Sequence, residues 1–164
     1  MSEDSISVYT KVNDKKVCHY KEEKGDDKTI ESCEYLCDGP NNEIKTKLLT
    51  CADYEHLFFQ IDEKWFSTWE AMTKVGGFSA LGNKKGIVEW IFKNKDNKKR
   101  ENLEGLIVRF DGVQNNKNNN ALAVFELSKK NICWKGNFSD NAKARLALKN
   151  ESCKEVLEGT TKLP

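Results

Sequence analysis

The residues best suited to metal chemistry are Cys33, Cys37, Cys51 and His56. Thiolate and imidazole groups bind zinc, and Cys33-x3-Cys37 has the spacing of one zinc knuckle. A closed site needs a second knuckle, and Cys51-x4-His56 does not supply one, so disulfides are the stronger expectation. Cys18 and His19 have the types of a thiol nucleophile and its base. Neighbours on a strand point to opposite faces, and only His56 would remain to serve Cys18. With two histidines in the chain, a serine triad has arithmetic support alone. No pair of carboxylates is set apart by spacing and an apolar setting as acid and base. The chain therefore reads as a non-enzyme, with no cofactor and no metal expected.

Two further segments look like anion sites. Gly77-Phe78-Ser79-Ala80-Leu81-Gly82-Asn83-Lys84 nearly spells a phosphate loop. Asn83 displaces the lysine by one place, no Ser or Thr follows, and the segment trails an expected helix rather than a strand. Lys93 to Arg100 is the one basic cluster. It has the charge to meet phosphate, a heparin-like polymer or an acidic partner, and is expected as a solvated hairpin tip. Residues 53–158 also read as helix, strands, helix, the element order of a double-stranded RNA-binding domain. Lys143 and Arg145 are the only cations near the start of the second helix, too few for shape readout of RNA. No nucleic acid is expected as a partner.

The six cysteines, Cys18, Cys33, Cys37, Cys51, Cys133 and Cys153, are an even set in a short chain, the pattern of a disulfide-stapled secreted domain. Six cysteines allow 15 connectivities. A bridge from Cys133 to Cys153 is expected between the last strand and the helix that returns over the sheet, leaving the other four to pair within residues 18–51. The opening Met-Ser-Glu-Asp has no basic and apolar leader, so a mature secreted chain is the reading that fits the cysteines. Asn137-Phe-Ser139 and Asn150-Glu-Ser152 are candidate glycosylation sites. With 16 Asn and 17 Ser or Thr in 164 residues, chance alone gives about 1.7 such triplets. Their presence decides nothing.

The elements that must position these residues come next. Net charge is +1 and mean hydropathy −0.72, with four Trp, eight Phe and four Tyr, too many large anchors for a disordered chain. No apolar run reaches the ~18–20 residues of a membrane span, so no membrane insertion is expected. Residues 1–164 read as one domain without a Pro/Ser-rich linker. Short strands are expected at Ile6–Thr10, Val17–Tyr20, Thr29–Cys37 and Glu43–Cys51. In Asp53 to Val75, Leu57, Phe58, Ile61, Trp65, Trp69 and Met72 recur at helical spacing, predicting a long central helix ended by Gly76-Gly77. Phe59 and Phe66 widen its apolar arc to about 200°, which makes them candidate partner contacts. Strands follow at Ile87–Phe92, Leu106–Phe110, Ala121–Leu127 and Ile132–Trp134, with Asn115 to Asn120 an exposed polar loop. Ser139 or Asp140 caps a last helix to about Gly159, with Ala142, Leu146, Cys153, Val156 and Leu157 as its buried stripe.

The expected fold class is thus α+β, in the order ββββα-ββββα. At the level of element order this resembles the peptide-binding platform of MHC class I and its viral mimics. A lipocalin-like barrel with a C-terminal helix is the other alternative, against which stand the central helix and the missing Gly-x-Trp. The expected function is that of a secreted, non-enzymatic binding protein, an effector or immune-modulating protein engaging a protein or small apolar ligand. The competing reading is an intracellular interaction or nucleic-acid-binding domain with six free thiols.

Overall fold

The structure, a computed structural model, describes residues 4–51, 55–74, 78–81, 86–114, 117–129 and 131–164. In chain order the elements are β1 (Ile6–Lys11), β2 (His19–Lys24), β3 (Ile30–Asp38), β4 (Lys45–Thr50), β5 (His56–Ile61), β6 (Lys64–Ser67) and α1 (Trp69–Thr73). There follow β7 (Phe78–Leu81), β8 (Ile87–Phe92), β9 (Leu103–Gln114), β10 (Lys117–Leu127), β11 (Ile132–Phe138), α2 (Asn141–Asn150) and β12 (Glu155–Val156). The expected α+β order with two helices on one sheet is overturned. Among the described residues the chain is mostly strand, in two antiparallel sheets, with one helix longer than five residues.

One sheet has the order β2-β3-β4-β5-β6. The other runs β1-β8-β9-β10-β11-β12, with β7 also paired to the far end of β9. Their inner faces form one core, in which Phe59 of β5 meets Phe125 of β10 edge to face at 5.7 Å. Leu48, Leu57 and Ile61 come from the first sheet and Trp90, Phe92, Val108 and Phe110 from the second, all at most 1% exposed. At the 25 cal/mol per Å² scale, each such side chain contributes about 1.5–3 kcal/mol by leaving water.

The missing central helix has a local explanation. Leu57, Phe59 and Ile61 are buried while His56, Phe58 and Gln60 are half-buried, a period of two. Asp62 and Glu63 both have positive φ (55° and 65°), so Ile61 pairs with Lys64 across a two-residue turn of the I′ kind. Such turns favour Asn-Gly, and Asp-Glu carries no such signal. Both faces of this hairpin carry apolar side chains, which is how a strand pair imitates a very wide helical arc. The Gly76-Gly77 cap lies outside the described residues.

The last helix is also shorter than expected. The Asp140 side chain caps it by accepting from the Lys143 amide at 2.8 Å, and Glu151 already has extended backbone. Its buried residues are Ala144, Ala147 and Leu148, whereas Ala142 and Leu146 face outward. These small side chains let α2 lie close on the outer face of the second sheet, against Ile91, Ile107, Leu122 and Val124. Contact is tightest at Gly105, where an added Cβ would stand 2.6 Å from Leu148 Cδ2.

Beyond α2 the chain stitches the two sheets together. Leu157 N donates to Ile132 O at 2.8 Å on one sheet. Trp65 and Thr160 then exchange two backbone hydrogen bonds of 2.8 and 3.0 Å on the other. Gly159 permits this approach, since a Cβ there would lie 2.7 Å from the Phe66 ring. Lys47 Nζ, nearly buried, donates to Pro164 O at 2.8 Å.

Candidate functional site

The stitch leaves a cleft of about 410 Å³ between the end of β6 with α1 on one side and residues 155–158 on the other. It is lined by Ser67, Trp69, Glu70, Glu155, Val156, Leu157 and Glu158. Its volume falls within the range of small-molecule sites. The Glu70, Glu155 and Glu158 carboxylates have no ion-pair partner among the described residues, and no cationic side chain lines the cleft.

One wall is set by an aromatic group on the outer face of the five-stranded sheet. His56 stacks on Phe58 with ring centroids 4.0 Å apart and leans on Trp69 at 5.0 Å. Ser67 sits opposite Phe58 across the β5–β6 pair. Its Oγ accepts the Trp69 amide at 3.1 Å and lies 2.6 Å from His56 Nε2. Burial pushes the His56 pKa down to about 4, so the ring is neutral near pH 7 and shares one hydrogen bond with the Ser67 hydroxyl.

A serine hydroxyl on a neutral imidazole has the outline of a nucleophile and its base. The chemistry does not follow. A base of pKa about 4 is far from the operating pH at which proton abstraction is efficient. Moreover, the hydroxyl is committed to the start of α1. The arrangement instead holds the Trp69 side chain at the cleft.

A larger recess, about 460 Å³, lies at the other end of the hairpin, between Ile44, Gln60, Asp62 and Arg100. Its strongest charges satisfy each other. Arg100 Nε meets Asp62 Oδ2 at 3.2 Å, and its remaining nitrogens donate to the carbonyls of Leu127 (3.4 Å) and Ser128 (2.9 Å). Glu43 and Glu63 also line it, but its one guanidinium is fully engaged and no aromatic side chain lies among its lining residues.

Of the residues singled out from the sequence for chemistry, His56 backs the cleft and the others lie elsewhere. Cys18 is bonded to Cys37, Cys33 to Cys51 and Cys133 to Cys153, so no thiolate is left for zinc or for nucleophilic attack. The first two bridges both leave from β3 and overlap in sequence; the third fixes the start of the segment that walls the cleft. Phe59 and Phe66 are 0% and 7% exposed and stack on each other at 5.6 Å inside the core, so neither ring is offered to a partner. Asn137 lies on β11 with its amide nitrogen donating to Ala71 O at 2.8 Å, whereas Asn150 ends α2 in solvent. Arg145 pairs with the buried Glu89 at 2.9 Å. Glu70, Glu155 and Glu158 were not singled out, and Trp69 only as part of the expected helix's apolar stripe. The cleft joins segments far apart in sequence, and no local pattern marks it. The chain matches no family model, no curated protein and no solved structure.

Proposed function

We propose that this chain is a secreted, non-enzymatic binding protein, and that its cleft takes a small organic cation with an apolar body. The observation that carries the reading is the set of three carboxylates that make no ion pair among the described residues, beside Trp69, Val156 and Leu157. An ammonium group gains from the carboxylates and from the indole face, and its hydrocarbon part from the two aliphatic side chains. Three disulfides fit an oxidising, extracellular setting. The low pKa of His56 and the engagement of Ser67 support a binding role over catalysis.

Calorimetric titration with phenethylammonium, and with 2-phenylethanol as its uncharged analogue, tests this. The wild type should bind the cation and not the alcohol. The pair of substitutions Glu155→Gln and Glu158→Gln should weaken binding about five- to tenfold, as expected for losing two partly exposed attractions. Equal binding of cation and alcohol, or unchanged affinity in the double variant, defeats the reading.

A further inference from the structure

The connection between β8 and β9 carries Lys93, Lys95, Lys98 and Lys99 against the two carboxylates Asp96 and Glu101, in a chain of net charge +1. Arg100 does not add to this surface because it is spent on Asp62. Lys95, Lys98 and Lys99 are exposed and make no ion pair among the described residues.

A solvated tip of this composition needs no internal order, yet this one is tied throughout. Asn102, 7% exposed, donates from Nδ2 to the carbonyls of Asn94 (3.2 Å) and Asn97 (2.5 Å). Its backbone closes the loop, with Lys93 N on Asn102 O at 2.9 Å and Asn102 N on Lys99 O at 3.0 Å. The Asn94 and Asn97 side chains turn the chain at Asp96 and Lys99, accepting from those amides at 3.2 and 2.9 Å. From the other sheet, Asn41 Nδ2 donates to Lys98 O at 2.8 Å. The asparagines face inward and leave the lysines outside.

We infer that this ordered tip is a binding surface for a linear sulfated polysaccharide. Fixing the backbone beforehand removes the ordering cost that a flexible lysine loop would meet on binding. The tip projects its lysines outward, which suits a polymer lying across it more than a single phosphate group. Residues 93–102 contain no aromatic side chain. Bases therefore have nothing to stack on, which disfavours a single-stranded nucleic acid. This surface is separate from the acidic cleft, and its test does not depend on the cation reading.

The test compares retention on immobilised heparin with retention on a plain sulfonate exchanger. The wild type should elute from heparin at higher salt than from sulfonate. Its heparin affinity should fall about 20-fold between 50 and 200 mM salt if three lysines each release counterions as on a single-stranded polyanion. K95A/K98A/K99A should lose the heparin-specific excess at unchanged melting temperature. K16A/K24A/K28A removes the same charge from other exposed lysines and should keep that excess. Equal elution salt on the two matrices, or equal losses in the two triple variants, overturns the inference.

Discussion

An alanine scan of residues 57–61 discriminates the hairpin from the helix that the spacing predicts. In the structure Phe59 is fully buried, stacked on Phe66 and edge-on to Phe125, while Phe58 lies half-buried on the opposite face against His56. Phe59→Ala leaves a large void at the middle of the sandwich and should cost about 3–5 kcal/mol. In a chain of this size each kcal/mol moves the melting temperature by about 2–4 °C, so a loss near 4 kcal/mol lowers it by about 8–16 °C. Phe58→Ala removes a ring that is still partly wet and should cost about 1 kcal/mol. Leu57→Ala and Ile61→Ala should join Phe59→Ala at about 2–5 kcal/mol, and Gln60→Ala should be near neutral. Urea or thermal melts followed by far-UV circular dichroism read the series. High, low, high, low, high supports two-residue periodicity. Equal losses at Leu57, Phe58 and Ile61, with Phe59 tolerant, would refute the strand.

Three other outcomes follow from single contacts. His56, neutral when folded down to about pH 4, gains its proton near pH 6.5 when unfolded. The unfolded chain thus binds more protons between those values, and stability should fall as pH drops from 6.5 to 4, by about 1–2 kcal/mol after allowing for partial exposure. His56→Gln should flatten that slope in urea melts at stepped pH, and an unchanged slope would contradict the assignment. Gly105→Val should cost about 1–3 kcal/mol by pushing on Leu148, and Leu148→Ala in the same chain should recover part of the loss; strict additivity would place α2 elsewhere. Replacing Cys133 and Cys153 together by Ala opens a loop of 20 residues. By the chain-entropy relation this should cost about 3 kcal/mol, read as a lower urea midpoint.

How far the fold was legible depended on where each element gets its specificity. Ile87–Phe92 is apolar but for Glu89 and lies inside a sheet, between β1 and β9, and its bounds could be read directly. β9 and β10 extend past the apolar stretches 106–110 and 121–127, because Asp111–Gln114 pairs with Lys117–Asn120 through backbone hydrogen bonds that require no apolar side chain. The hairpin of β5 and β6 was illegible for the opposite reason. Its outer face carries Trp65, which is 3% exposed and whose backbone pairs with Thr160 beyond β12, a long-range fact absent from any window. The same holds for the cleft, whose two walls meet only when the C-terminal segment crosses from Ile132 to Trp65.

The most direct test of the cation cleft is a two-dimensional amide NMR titration of the intact, oxidised protein with phenethylammonium. Binding in the cleft should concentrate shifts at Ser67, Trp69 (including its indole N–H), Glu70 and Glu155–Glu158, with the amides around Ile44, Asp62 and Arg100 unmoved. Shifts centred on the Arg100 recess, or none at millimolar ligand, would contradict it.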